Sequence, residues 1–194
     1  NDETVIIPLV KNKIGASQQE LVTNSVQHLE YAFADGFNKL TKPKRHKIAV
    51  LKGNKQLSDI YIADFIKKLG EYYFIAPYTL DSVASNPQKT LDGLKGFDLI
   101  ISAKPTEAFT EEEKLVLDQY TMNGGKSLWL IDAVAMEKDS LYNESGSNYA
   151  VTRDLNLTDF FFKYGVRVNP EIVSTLYSAP ITLAMGEGSE SQFQ

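Results

Sequence analysis

The sequence predicts an α/β fold: a flavodoxin-like or class I glutamine-amidotransferase-like parallel sheet with helices on both faces, preceded by a short strand and a long helix. Short, continuous apolar runs are typical of strands that are covered on both faces. Along this chain they alternate with segments in which apolar residues recur at the helical period. Strands and helices that alternate in this way build a parallel sheet through right-handed crossovers.

Residues 1–42 are predicted to hold the short strand and the long helix. The apolar run at residues 5–9 indicates the strand, and Ser17 with Glu20 forms a capping box that begins the helix. Behind the box, apolar residues recur at spacings of four and three, which predicts a helix of more than 20 residues. We expect this helix to pack on its own domain, with a partner protein as the alternative. The apolar stripe consists of Val22, Val26, Leu29, Phe33, Phe37 and Leu40.

Residues 43–194 are predicted to form the sheet domain, in one compact unit with the N-terminal part. Helices are expected after the N-cap residues Ser58 and Thr110, and the second helix ends at the Asn-Gly-Gly sequence of residues 123–125. Four apolar runs predict strands at residues 48–51, 73–75, 94–101 and 127–131, of which the first and the last are expected to be buried.

The C-terminal third of the chain has a weaker pattern. Residues 133–152 read as a long polar loop, and loops of this length are often functional. Asn156 is a candidate N-cap for a short helix, and Val166 and Val168 are expected to begin a last strand. The tail after residue 179 shows no readable pattern.

Composition argues against several classes of function. The net charge of −5 is unfavourable for binding a nucleic-acid backbone, and the basic run at residues 42–47 contains a proline and is interpreted as a solvated linker. The absence of cysteine excludes a thiol nucleophile. The two histidines, His28 and His46, are far apart and lack zinc-site spacing. We therefore expect no catalytic residue, no metal and no cofactor.

The rim beyond the carboxyl ends of the strands is where a parallel sheet binds its ligands. The loop after the first strand, residues 52–56, has one glycine and no phosphate-binding motif. A module that binds a small ligand, a sugar or a peptide, remains an alternative, and so does an enzyme of amidotransferase ancestry that uses Ser102 or Asp132. The candidate ligand or partner contacts are Lys104, Thr106, Asp132, Arg153 and Asp154.

Several segments together resemble one known family. They carry the sequences LEYAF, ADF, LDQYTMNGGK with LWLID, RDLNL and FKYGVRVNP, at residues 29–33, 63–65, 117–126, 128–132, 153–157 and 162–170. Over residues 20–177 the chain resembles the extracytoplasmic region of the gliding-motility ABC-transporter auxiliary proteins of the GldG family, found in Bacteroidetes.

This resemblance implies a membrane protein whose soluble part lies at the periplasmic face of the cytoplasmic (inner) membrane. It implies ABC-transporter permease and ATPase subunits as partners, and a role in gliding motility or the associated secretion system. The chain begins with Asn1 and stops abruptly, so we expect a segment of a longer protein with its membrane anchor outside this sequence. Homo-oligomers are a further possibility, and nucleic acid is not an expected partner.

Overall fold

The fold was obtained as a computed structural model. It describes residues 4–11, 13, 15–136 and 149–173, and the backbone of residues 184–185 and 192–193. The chain divides into two compact units, one formed by Asn1–Pro43 with Ser174–Gln194 and the other by Lys44–Val173. The predicted division into residues 1–42 and 43–194 stays a prediction.

The second unit contains the sheet. Its parallel strands are β1 (Lys47–Lys52), β2 (Phe74–Thr79), β3 (Leu99–Ala103) and β4 (Lys126–Leu130). Its helices are α2 (Asp59–Gly70), α3 (Pro87–Leu94), α4 (Glu111–Met122) and α5 (Thr158–Lys163). A small antiparallel pair joins β5 (Val134–Ala135) to β6 (Val151–Thr152). The first unit holds α1 (Gln18–Thr41) and the antiparallel pair β7 (Ala184–Met185) and β8 (Gln192–Phe193).

The four-stranded sheet has the order β2-β1-β3-β4, and every pair in it is parallel. This is the order of the first four strands of a flavodoxin-like sheet, and right-handed crossovers place α2 on one face and α3 and α4 on the other. The predicted α/β parallel sheet with helices, preceded by a long helix, is confirmed. The predicted strand at residues 5–9 is wrong, because these residues join no sheet.

The main core lies between one face of the sheet and α3, α4 and α5. Buried side chains from the central strands and these helices form one apolar cluster, with Trp129 of β4 packed against it. Trp129 makes edge-on contacts with Phe109 and Phe161 at ring distances of 5.6 and 5.3 Å. The largest fully buried side chain of this core is that of Tyr120 in α4. The Tyr120 hydroxyl donates a hydrogen bond to the Phe97 carbonyl at 3.0 Å.

Two strand predictions need correction. The strand expected at residues 94–101 begins only at Leu99, because Leu94 ends α3, a helix that the sequence analysis missed. The sequence does contain a signal for it: Asn86 accepts a hydrogen bond from the Lys89 amide as N-cap, and Pro87 follows at the first turn. The strand expected to be buried at residues 127–131 is β4, which lies at the edge of the sheet and is largely exposed.

Smaller corrections concern the caps and the C-terminal strand. Helix α2 follows Ser58 as predicted, although the Ser58 side chain makes no capping hydrogen bond. The N-cap of α5 is Leu157 and not Asn156, which adopts the left-handed conformation and turns its side chain toward α4. Val166 and Val168 form no strand. The predicted loop contains β5 and β6, and its residues 137–148 lie outside the described residues.

The capping box predicted at the start of α1 is confirmed, but the buried face of the helix differs from the predicted apolar stripe. Ser25, Ala32 and Gly36 are its buried residues. Ser25 Oγ accepts a hydrogen bond from the Lys11 amide at 3.0 Å, and a Cβ atom added at Gly36 would lie 2.7 Å from Ile7 Cδ1. Because these helix residues are small, the N-terminal segment can pack closely against the helix.

The apolar stripe of α1 lies beside this covered face. Five of its six members are between 41% and 62% exposed. The five are Val22, Val26, Phe33, Phe37 and Leu40.

We expect Gly125→Ala to destabilise the sheet unit by about 1–3 kcal/mol, the usual cost of overpacking. A Cβ atom at Gly125 would meet the ring of Tyr120, which is buried and held by its hydrogen bond to Phe97. The matched control is Gly70→Ala at the end of α2, where an added Cβ meets nothing within 4 Å. This control should be neutral or stabilising by up to about 1 kcal/mol. Urea unfolding measures both, and equal free energies of unfolding would contradict the packing described for Tyr120.

Candidate functional site

The carboxyl edge of the sheet brings two of the predicted site residues together. Lys104 follows β3 and Asp132 follows β4, and Lys104 Nζ lies 3.5 Å from Asp132 Oδ2. The Lys104 amide also donates a hydrogen bond to the Leu130 carbonyl at 2.8 Å, and its φ of 48° turns the chain sharply away from the sheet. This pair is a partly exposed ion pair, with both side chains in reach of solvent.

Thr106 lies on the same loop but is turned to a neighbouring loop. Its hydroxyl donates a hydrogen bond to the Lys55 carbonyl at 3.1 Å, and its amide donates to the Asn54 carbonyl at 3.0 Å. The loops after β1 and β3 are thus joined to each other. Thr106 contributes to this junction and does not face the Lys104–Asp132 pair as a ligand contact would.

Asn54 is the centre of that junction, and the sequence analysis did not identify it. The side chain is 5% exposed. Its Nδ2 donates to Glu113 Oε2 at 3.1 Å, and its Oδ1 accepts from Gln56 Nε2 at 3.3 Å. Glu113 also accepts a hydrogen bond from the Thr110 amide at 2.8 Å, in the capping box of α4. A single buried amide therefore fixes the loop after β1 to the start of α4.

Two further lysines of the rim are paired with carboxylates. Lys52 Nζ lies 2.7 Å from Asp59 Oδ1, and Lys55 Nζ lies 2.7 Å from Glu107 Oε1. Hydrogen bonding to Glu107 raises the pKa of Lys55 above its usual value, which keeps this group a cation at neutral pH. Ser102 is buried at the end of β3, and in the described part of the chain its hydroxyl has no hydrogen-bond partner. No base within hydrogen-bond distance is therefore seen for Ser102 among the described residues.

Arg153 and Asp154 follow β6 and are directed to different places. The Arg153 amide donates to the Ala133 carbonyl at 2.9 Å, which holds this segment beside the end of β4. Asp154 Oδ1 accepts from the Asn156 amide at 3.0 Å and lines a shallow cavity of about 510 Å³ at the start of α5. The five predicted contacts therefore do not form one cluster. Their role as contacts stays a prediction.

A buried lysine joins α4 to α5. Lys114 Nζ lies 3.0 Å from Asp159 Oδ2 and 2.8 Å from Glu111 Oε1, and it also donates to Asn156 Oδ1 at 3.3 Å. Burial alone would lower the pKa of Lys114, but the two carboxylates together raise it. The lysine in turn lowers the pKa of Asp159. Sequence analysis missed this network because its members are far apart along the chain.

Two larger cavities lie away from the rim. One of about 840 Å³ is at the amino ends of the strands, where His46 Nδ1 is 3.2 Å from Asp98 Oδ1. The other, of about 540 Å³, is an apolar cleft between β4 and α5 that includes Trp129 and Phe161. Neither is lined by the rim residues that the sequence analysis singled out.

We expect Asp159→Asn to lower the thermal unfolding midpoint by several degrees at pH 7, because Lys114 then keeps only one carboxylate partner. Since the pKa of Asp159 is lowered in the folded state, its contribution is present above the unfolded value and disappears as the pH falls through the lowered folded value. The difference between wild type and variant should therefore shrink in acid. Glu112→Gln, in the same turn as Glu111, is the control, and calorimetry across the pH range measures both. A difference in unfolding midpoint that stays as large in acid, well below the usual pKa of an aspartate, as it is at pH 7 would contradict the assignment.

Comparison with known proteins gives a family for this chain. A family model described as an ABC-type uncharacterized transport system matches residues 45–194. A solved structure entitled "mmIFT52 N-terminal domain" is 26% identical over 44% of this chain, with a TM-score of 0.38, and the match covers 36% of that structure's own chain. The sequence matches no curated protein. Among the described residues, no helix is both long and apolar enough to cross a bilayer.

The family match covers most of the chain, including the whole sheet and the segments around β4 and α5. An auxiliary role in a transport system suggests a function other than catalysis. The chain belongs to the ABC-type uncharacterized transport system family, as an auxiliary component of an ABC transporter.

Proposed function

We propose that this chain is a non-catalytic, extracytoplasmic domain of an ABC-transporter auxiliary protein that acts by binding other proteins in gliding motility or the associated secretion system. Its partners are the permease and ATPase subunits of the same complex, and its place is the periplasmic face of the cytoplasmic membrane. Family membership supports the link to a transporter. The resemblance of the Arg153–Leu157 and Lys163–Pro170 sequences to the GldG family supports the link to motility.

The exposed stripe of α1 is the observation that carries this proposal. From Val22 to Phe37 the stripe runs for about 22 Å at a rise of 1.5 Å per residue. Apolar side chains at helical spacing are the pattern by which one helix packs into the grooves of another. A patch of this kind on a protein surface marks a site of interaction with another protein. A helical permease subunit offers a surface of matching chemistry.

The state of the rim supports a role without catalysis. A nucleophile needs a base within hydrogen-bond reach, and the buried Ser102 hydroxyl has none among the described residues. Asp132, the other candidate of the amidotransferase hypothesis, is paired with Lys104. Binding of a sugar or peptide near Lys104 and Thr106 has less support, because Thr106 is bonded to the neighbouring loop.

We expect Phe33→Glu to weaken the association with the permease by about 2 kcal/mol, or roughly thirtyfold in Kd, as for an aromatic residue at the centre of an interface. The measurement is co-purification of the full protein with its permease from native membranes. Gln27→Glu is the matched control, since Gln27 is exposed on the same helix about 120° away from Phe33 at 3.6 residues per turn.

A photoreactive benzoylphenylalanine at position 33 should also form an adduct with the permease, whereas the same residue at position 27 should not. Equal adducts from both positions, or retained co-purification of Phe33→Glu, would exclude the stripe of α1 as the partner surface.

The periplasmic location predicts that Lys89→Cys reacts with a membrane-impermeant maleimide in intact spheroplasts. Lys89 is exposed on α3, and this segment contains no other cysteine, so the label reports one position. The protein without the added cysteine is the control. Labelling that requires lysis of the spheroplasts would show that this part of the chain lies in the cytoplasm.

A further inference from the structure

At the outer edge of β4, two residues have backbone groups without partners in the described part of the chain. The Leu130 carbonyl accepts a hydrogen bond from the Lys104 amide, so Leu130 directs its backbone groups toward β3. Because backbone groups alternate in direction along a strand, those of Ser127 and Trp129 point to the open edge. Across the described ranges of the chain, no hydrogen bond reaches these groups. An unpaired edge of this kind is a template for another strand.

The opposite edge of the sheet does not offer such a template. In β2 the Phe74 amide donates to the His46 carbonyl at 3.0 Å, so Phe74 directs its backbone groups toward β1. By the same alternation, the backbone nitrogen of Pro77 faces the outer edge, where proline has no hydrogen to donate. Strand addition at β2 is therefore blocked at its centre, and within the described part of the chain the β4 edge is the open one.

The side chains of the β4 edge are apolar in the middle and oppositely charged at the two ends. Leu128 and Leu130 are 38% and 45% exposed on the face opposite Trp129. Lys126 begins the strand and Asp132 follows its end by two residues, and both share the parity of the two leucines. In a second copy that runs antiparallel, the order of charges is reversed, so the acid of one copy can lie opposite the lysine of the other.

We propose that two copies of this chain pair their β4 strands antiparallel, edge to edge, with Lys126 opposite Asp132 of the second copy. In this register Leu128 lies opposite Leu130 of the second copy, and the two-fold axis passes through the Trp129 pair. The outward backbone groups of Ser127 and Trp129 then form the hydrogen-bonded pairs. Lys126 and the leucines occupy the closer, non-hydrogen-bonded positions, where side chains interact most.

The other face of the edge fits the same register. Ser127, a small residue, lies opposite Ile131 of the second copy. Ser127 and Trp129 line the 540 Å³ apolar cleft, so an isoleucine placed there fills apolar space. A slip of one residue would turn the leucines to the wrong face, and a slip of two would set Lys126 opposite Leu130.

A second copy is favoured over an unrelated strand because the edge complements itself. Each copy places Asp132 opposite Lys126 of the other, and each supplies the leucines that cover those of the other. Such an interface is isologous and closes as a dimer with two-fold symmetry. This inference does not depend on the proposed function, since it concerns β4 and not the stripe of α1.

Sedimentation equilibrium of the purified chain tests whether it dimerises through the β4 edge. Wild type is expected to dimerise reversibly, and Ser127→Pro is expected to raise the dissociation constant at least tenfold, about 1.4 kcal/mol, by removing an outward N–H without breaking the ladder to β3. Ser127→Ala keeps that N–H and should dimerise as wild type does. A wild type that is monomeric up to about 1 mM, or a Ser127→Pro dimer of unchanged affinity, would overturn the proposal.

Charge exchange tests the register with two variants at exposed or partly exposed positions. Lys126→Asp and Asp132→Lys should each dissociate, because each places like charges opposite each other twice. An equimolar mixture should form a heterodimer, since both opposite-charge pairs are restored in it. Far-ultraviolet circular dichroism confirms that each variant is folded. A mixture that associates no better than its components would overturn the register, and so would capture of a strand from another protein by an otherwise monomeric chain.

Discussion

The buried Asn54 amide is the contact on which the carboxyl edge of the sheet depends. It joins the loop after β1 to the loop after β3 through its backbone carbonyl and to the capping box of α4 through its side chain. A buried amide is stable only when its donors and acceptors are satisfied, so each of these partners is fixed in turn. The edge at which α/β proteins usually bind ligands is here held together by internal hydrogen bonds.

The lysines of this rim lie beside carboxylates. Lys52, Lys55 and Lys104 each have a carboxylate within ion-pair distance, and none is left as a lone cation for a phosphate or a carboxylate ligand. Their pairs are partly exposed, so they contribute little to stability. What distinguishes the protein is the chemistry of its surface: the stripe of α1 in one unit and the open strand edge in the other.

The sequence was informative where structure is local. The capping boxes at Ser17 and Thr110 are made within four residues, and both were predicted correctly. Helix α3 was missed because it is short and buries only Thr90 besides its leucines, too few for a helical period, although Asn86 marked its start. Whether β4 is central or at the edge depends on strand order, which no local pattern encodes. The network of Lys114 joins residues 45 positions apart and was likewise invisible in the sequence.

Among the described residues the position beside β4 is open, because of the path that the chain takes after this strand. In a flavodoxin-like sheet the order continues with a fifth strand next to the fourth. Here Ala133 accepts a hydrogen bond from Arg153, and β5 pairs with β6 in a separate antiparallel sheet, so the chain leaves the plane of the main sheet. Helix α5 then packs its aromatic residues under Trp129 and supports the edge from one face only. Pro77 blocks strand addition at the β2 edge, so each copy can pair only through its β4 edge. Pairing through one edge per copy ends with two copies.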